Sequence, residues 1–298
     1  MKKKTQAMEI KIILVSILIL LLLLAGNIAM AGKAKNQWKI TQYGDPAGPQ
    51  KMFYTMTDKK GHFIVVDGGW IEDAEEVRNV IRENGNHVDA WILTHPHQDH
   101  IGAFMEIYDN PENIEIDKIY AVEMAPMELC KENASWDEFG TYERFLQMDI
   151  PQLEYVHTGD EWKIDNLKFE VLSAYEDKVD EISKDLLNDG SMMFQVTAEE
   201  ETMLFCADVG VSLSDYLIGK YGEELKSDYI QMGHHGNGGL NREFYETVAP
   251  KTAFFDAPNW LFYDETGVYT TPQNRAIMEN IGSQIKNYET APNTIILK

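Results

Sequence analysis

Cysteine is scarce: Cys130 and Cys206 are the only two, separated by 75 residues and at no zinc-motif spacing. A cysteine zinc site is therefore excluded. One disulfide stays open for a chain outside the cytosol, but Cys206 sits in the apolar run Met203-Leu204-Phe205-Cys206, where a buried free thiol is expected. Basic residues are also few, 26 Lys+Arg against 49 Asp+Glu, giving a formal net charge of −23. Such a surface repels nucleic acid and lacks the counterion-release affinity of basic binders. It suits solubility first, and a cationic or zwitterionic substrate or a cell-wall setting second. There is no repeat at solenoid period and no low-complexity tract.

Long apolar runs are lacking too, with one exception at the start. Lys2, Lys3, Lys4 and Lys11 precede Ile12 to Ala25, apolar but for Ser16, and Ala29-Met30-Ala31 follows as a small-x-small cleavage pattern. These features imply export, with residues 1–31 a signal peptide cleaved after Ala31. The alternative is retention of residues 10–31 as a single membrane anchor, the lysines inside and the rest outside. No cysteine follows the run, which excludes a lipoprotein anchor. Residues 32–37 read as a linker, and residues 38–298 as the functional domain.

Within that domain, strand and helix patterns alternate. Trp38 to Tyr43, Met52 to Thr57 and His62 to Asp67 read as a β-meander, Glu72 to Asn84 as an amphipathic helix, and Val88 to Leu93 as the next strand. Ile119 to Val122 adds another strand. Residues 123–152 then break the rhythm with an acidic, aromatic helical stretch, a lid or wall beside a site or, equally, cover for a sheet face. Later strands are expected at 154–157, 167–173, 192–197, 203–207, 228–232 and 252–255. Helices are expected at 176–187, 213–225, 242–248 and 272–281, with a closing hairpin from Ile285 to Leu297. The alternation is that of an α/β protein, whose ligand sites lie at strand C-termini.

Histidine clusters at two such tips. Thr94-His95-Pro96-His97-Gln98-Asp99-His100 follows one apolar strand, and Gly233-His234-His235-Gly236 follows another; His62, His87 and His157 are scattered and read as surface or packing residues. His95 and His97, two apart on extended chain, project to one side, with Pro96 keeping them extended. Asp99 and His100 fall where the chain turns into a helix. Asp67 and Asp208 each end a strand. The set holds two divalent metals: His95 and His97 on the first, Asp99, His100 and one of the pair 234/235 on the second, Asp208 bridging, and Asp67 behind as an acceptor for a ring N–H. Two adjacent cations lower the pKa of a bridging water from about 15.7 toward about 7, and the resulting hydroxide is the nucleophile. Nitrogen and oxygen donors without thiolate suit zinc, with manganese or iron as alternatives.

The string His95-Pro96-His97-Gln98-Asp99-His100-Ile101-Gly102 resembles the motif of the metallo-β-lactamase-fold hydrolases. Gly190-Ser191-Met192-Met193-Phe194, Met203 to Asp208 and Tyr229 to Gly236 are similar to one branch of them, which includes the hydrolase domain of DNA-uptake channel proteins and a secreted phosphorylcholine esterase. The likeness spans Trp38 to Lys298. It implies an αββα sandwich of two facing mixed sheets flanked by helices, with metal ligands His95, His97, Asp99, His100, Asp208 and His235. Asp99 and His234 are the expected catalytic residues, His234 reaching toward substrate phosphate or the leaving group.

Two departures from the branch bear on function. The superfamily's further histidine for the first metal is missing from residues 158–190, where Asn188 is the nearest polar candidate. Thr271-Pro272 stands where uptake-channel relatives carry His-Pro, which argues against copying a nuclease activity. The leading expectation is an exported dinuclear hydrolase of a small-molecule or cell-envelope phosphoester. Trp70, Trp136 and Trp260 could frame a cationic head group by cation–π contact, although core packing is the commoner fate of tryptophan. A nuclease, a catalytically weak surface binding module and a β-lactam hydrolase are the alternatives.

Overall fold

Many strand-forming runs here are apolar at odd and even positions alike, and such strands need cover on both faces. The computed structural model describes residues 36–298, and the leader or anchor expected over residues 1–31 lies outside the described residues. Residues 37–298 form one unit. Its strands are β1 (Trp38–Gln42), β2 (Phe53–Asp58), β3 (Phe63–Asp67), β4 (His87–Val88), β5 (Ala90–Ile92), β6 (Glu115–Ile116), β7 (Ile119–Val122), β8 (Leu153–Val156), β9 (Glu161–Ile164), β10 (Leu167–Ser173), β11 (Met193–Thr197), β12 (Thr202–Phe205), β13 (Tyr229–Gln231), β14 (Thr252–Phe254), β15 (Gln284–Lys286) and β16 (Asn293–Leu297). Its α-helices are α1 (Ala74–Glu83), α2 (Gln98–Asp109), α3 (Met127–Asn133), α4 (Gly140–Phe145), α5 (Asp177–Ile182), α6 (Leu186–Asp189), α7 (Ser214–Tyr221), α8 (Arg242–Val248), α9 (Asn259–Phe262) and α10 (Thr271–Ile281).

Two seven-stranded mixed sheets face each other, flanked by helices. Their orders are β16-β1-β2-β3-β5-β7-β8 and β15-β14-β13-β12-β11-β10-β9, and β4 pairs with β6 apart from both. Alternation along each strand assigns its faces. Tyr54, Met56 and Ile64 point inward to the same core as Phe194 and Phe205, with Tyr54 and Phe205 edge to face at 5.3 Å. Phe53, Val65 and Trp91 point outward onto Val77 and Ile81 of α1 and Phe104 of α2. Leu217, Phe244 and Met278 bring α7, α8 and α10 onto the core shared with Ile230 and Ala253. Each such side chain contributes about 1.5–3 kcal/mol by leaving water.

The two sheets repeat one pairing scheme. Reading from β16, three antiparallel pairings precede three parallel ones, and reading from β9 the same holds. The first parallel pair is β3 with β5 in one sheet and β12 with β13 in the other. These are the equivalent switch points of the two sheets, where strand C-termini open a crevice.

Two expectations need correction, and one strand was not expected. Ile285 to Leu297 is no hairpin: β15 is the edge of one sheet and β16 the edge of the other, because the chain crosses between them after Lys286. The helix expected over 176–187 is split into α5 and α6 around Ser183, whose backbone is extended. Edge strand β9, half exposed, carries too little apolar pattern to be read as a strand.

Candidate metal centre

Each switch point ends in strained backbone. Asp67, Ala207, His234 and His235 have φ of 52°, 47°, 48° and 56°, a region sparsely used outside glycine and costly to hold. The strain re-aims side chains at the crevice. Asp67 folds back to accept hydrogen bonds from Thr94 N at 2.8 Å and Thr94 Oγ1 at 2.6 Å, locking the start of the histidine loop. Gly233 is required where it stands, since a Cβ there would lie 2.6 Å from Val209 O. His234 and His235 thus sit in a tight left-handed turn. His97 caps α2, so Asp99 and His100 occupy its first turn.

The structure brings all of the sequence-predicted ligand residues together. His95 Nε2 faces His97 Nδ1 at 3.0 Å. His100 Nε2 lies 3.3 Å from His235 Nε2 and 3.2 Å from Asp208 Oδ1. Asp208 Oδ2 lies 3.4 Å from His235 Nε2 and 3.9 Å from His95 Nε2, so one carboxylate reaches both groups. Asp99 Oδ2 is 3.2 Å from His235 Nε2. His234 stands at the rim, its side chain 31% exposed and its Nε2 3.8 Å from Asp208 Oδ2. His95, His100, Asp208 form one metal-sized cluster, and Asp99, His100, His235 another.

Outward hydrogen bonds assign the rings. His100 Nδ1 meets Asp67 Oδ2 at 2.7 Å, His95 Nδ1 meets Thr94 Oγ1 at 3.3 Å, and His97 Nε2 meets Asp137 Oδ2 at 3.1 Å. A neutral imidazole carrying its proton outward turns a lone pair inward. The inward nitrogens of these three rings, together with Nε2 of His235, converge with Asp99 and Asp208. Lone pairs and carboxylates packed this closely repel unless cations lie among them, so the residues fit two divalent metal ions with nitrogen and oxygen ligands.

Without a cation, protons balance the carboxylates instead. Burial, aided by the charge of neighbouring His100, holds His95 well below the ordinary histidine value. Burial opposes charge on His97 also, yet the hydrogen bond and charge of Asp137 outweigh it and raise the ring. Against its own burial, Asp208 is held well below the usual carboxylate range by His235 and His100, and His235 is raised to about 10 by Asp208 and Asp99 despite burial. A divalent cation entering the cluster would take the place of these protons, so metal binding would release protons.

Beneath the centre lies a polar network that the sequence did not disclose. Gln231 accepts from Ala207 N at 2.8 Å and donates to Asp256 Oδ2 at 2.9 Å. Asp256 Oδ1 accepts from Gln42 Nε2 and Tyr54 OH, each at 2.7 Å. The network ties both sheets to the strained residue before Asp208. Burial raises the Asp256 carboxyl to about 6 against the lowering effect of His235 and these three donors.

Above the centre opens a cavity of about 250 Å³ walled by Gln50, Trp70, His97, Asp137, Asn188 and His234, with Asp99 and Asp208 at its base. Trp136 and Trp260 are 72% and 46% exposed, and Trp70 is half-buried, so none of the three is spent in the core. Asn188, the polar candidate for the position of the missing histidine, lines the wall of the cavity, its Nδ2 bonded to Asp185 Oδ2 at 3.0 Å. Cys130 and Cys206 are both buried free thiols. The stretch 123–152 does two jobs: Cys130, Tyr142 and Phe145 pack into the cores, and Asp137 between α3 and α4 reaches the site.

Two facing mixed sheets with candidate metal-binding groups at their switch points are the arrangement of a metal-dependent hydrolase. A family model of the metallo-beta-lactamase superfamily matches residues 53–252, and the chain belongs to that superfamily of metal-dependent hydrolases. It is 27% identical over 176 residues to ComE operon protein 3 of Bacillus subtilis (strain 168), covering 57% of this chain and 20% of that protein. The chain therefore matches about a fifth of that relative's length. Among solved structures it resembles the metallo-beta-lactamase fold protein YhfI from Bacillus subtilis, at TM-score 0.55 and 13% identity, over 87% of this chain and 99% of that one. It also resembles CmlA, a diiron beta-hydroxylase from Streptomyces venezuelae, at TM-score 0.53 and 14% identity, over 87% and 54%. At these identities the structural likenesses speak for the fold alone.

Proposed function

We propose that the chain is an exported dinuclear hydrolase of phosphoesters. The carrying observation is the convergence of four inward ring nitrogens and Asp99 on the shared Asp208, under an open cavity. His95 and His97 would hold one cation, Asp99, His100 and His235 the other, and Asp208 both; zinc suits these donors best. Bound there, the cations supply Lewis acidity and a water acidic enough to attack at neutral pH. His234, at the rim and facing the cavity, holds the proton for the leaving oxygen. The rest of the chain's part is exclusion of bulk water by the buried ring cluster and positioning of the ester against Trp70.

Substrate class and setting rest on weaker supports. The exposed Trp136 and Trp260, half-buried Trp70 and the acidic surface favour a cationic head group such as choline. Export rests on residues 1–31, and no helix among the described residues is long and apolar enough to cross a membrane. Zinc reconstitution to two equivalents, followed by assays on p-nitrophenyl-phosphorylcholine and bis-p-nitrophenyl phosphate, tests the proposal. Turnover of either supports phosphoester hydrolysis, and turnover of the first alone supports the choline reading. Silence on both with metal bound rejects phosphoester hydrolysis, and near-zero metal after reconstitution favours a surface binding module.

The likeness of Gly190 to Phe194, Met203 to Asp208 and Tyr229 to Gly236 to the DNA-uptake branch supports nuclease activity as a second reading. Manganese-dependent degradation of single-stranded DNA would support it, against the long-range repulsion of an acidic surface.

A further inference from the structure

The two rings read as holding the first cation differ in what stands behind them. His95 leans on a neutral hydroxyl, Thr94 Oγ1 at 3.3 Å. His97 leans on a carboxylate, Asp137 Oδ2 at 3.1 Å, which comes from a different part of the chain, the turn between α3 and α4. That turn is no floppy tether. Asp137 N donates to Ala134 O at 3.0 Å, Asp137 Oδ1 accepts from Glu138 N at 2.8 Å, and the helices on either side are anchored by buried Cys130, Tyr142 and Phe145. Oδ2 is left for His97 alone, and the pair is mostly shielded, with side chains 13% and 15% exposed.

The geometry points to Asp137 as a positioning residue for the first metal, an inference that rests on the dinuclear reading above. Asp137 is not itself a ligand of that metal, because it meets Nε2 while Nδ1 on the other side of the ring faces His95. By accepting the Nε2 proton it fixes both the tautomer and the tilt of His97, aiming the Nδ1 lone pair inward. Its negative charge makes that lone pair a stronger donor. The effect matters here because His100 and Asp208, which group with His95, also face the second cluster through His235, so His97 supplies a donor that the first cation does not share. The excursion between β7 and β8 thus acts on the metal rather than only covering a sheet.

The test is zinc affinity of the full chain, measured by competition with a chromogenic chelator, for wild type, Asp137→Ala, Asp137→Asn, Asp137→Glu and the exposed neighbour Glu138→Gln. Asp137→Ala is expected to weaken one of the two zinc equivalents about 10–100-fold and leave the other within about twofold. Asp137→Asn, which keeps an acceptor oxygen but not the charge, is expected to fall between, and Asp137→Glu to recover part of the loss. Glu138→Gln is expected to match wild type. With cobalt in place of zinc, the absorption bands of one equivalent should shift in Asp137→Asn while those of the other hold. Two wild-type affinities in both Asp137→Ala and Asp137→Asn, or equal weakening of both equivalents, would overturn the role of Asp137 alone. A wild-type chain that takes up no zinc would overturn this role and the dinuclear reading together.

Discussion

Asp67 Oδ2 stands 2.7 Å from His100 Nδ1, both groups fully buried, and the same oxygen accepts from Thr94 Oγ1 at 2.6 Å. One carboxylate thus orients a ring of the second cluster and pins the loop that carries the first. Asp67→Asn keeps a residue tolerant of the left-handed backbone there but sets an amide nitrogen against donors. It is expected to lower stability by about 1–3 kcal/mol and second-site metal affinity about 10–100-fold. Urea melts beside chelator-competition titrations separate the two effects.

Asp208 is the shared donor, so its loss should be felt by both ions. Asp208→Ala is expected to bring bound metal, read by elemental analysis, below one equivalent, while far-UV circular dichroism stays that of a folded chain. Wild type, in turn, should lose melting temperature on chelation, because an ion bound only by the folded state stabilises it. Retention of two equivalents by the variant would remove the bridging role.

His234 and His235 should fail in different ways. His235→Ala is expected to lose one metal equivalent. His234→Asn, chosen because asparagine accepts the φ of 48°, is expected to keep both and lose about 10²–10⁴-fold in kcat with a smaller change in KM. Equal metal loss in the two variants would make His234 a ligand.

Asp256 makes stability depend on pH. Burial lifts its carboxyl to about 6, so the folded state holds this proton more tightly than the unfolded chain does. Its stabilising contribution is complete below about pH 4 and is lost as pH rises through about 6, a difference of about 3 kcal/mol. With chelator present throughout, the stability of wild type minus that of Asp256→Asn is expected to fall by that amount between pH 4 and pH 7. A flat difference would mean that Gln42, Tyr54 and Gln231 hold the carboxylate charged at no cost.

Gly102 is held by backbone, not by conformational freedom. A Cβ would lie 2.5 Å from Ile71 N and 2.8 Å from the carbonyl carbon of Trp70. Gly102→Ala is expected to cost about 1–3 kcal/mol, seen as a lower urea midpoint at unchanged slope, and to shift the Trp70 wall of the cavity.

What could be read from the sequence was local. His95, His97, Asp99 and His100 are neighbours whose spacing alone sets their directions, and Asp67 and Asp208 were marked by closing apolar runs. Asp137 was hidden because its partner is 40 residues away and it lies among many acids. Asp256 was hidden because burial, not pattern, gives it meaning. The left-handed backbone of His234 and His235 was not legible because it runs against the residues' own preference and is held by contacts with residues 207 and 209. The repeat between the sheets escaped notice because it is written in strand pairing and not in residue identity.

Strand β16 lies at the edge of the sheet that bears the histidine loop, zipped against β1 over Trp38 to Gln42. A ribosome must therefore reach residue 297 before the first strand of the unit finds its second neighbour. Closing a loop of that length is slow, since the contact spans almost the whole unit. Until it closes, β1 presents a bare rim open to pairing with another newborn copy, which makes crowding during synthesis a hazard for this architecture.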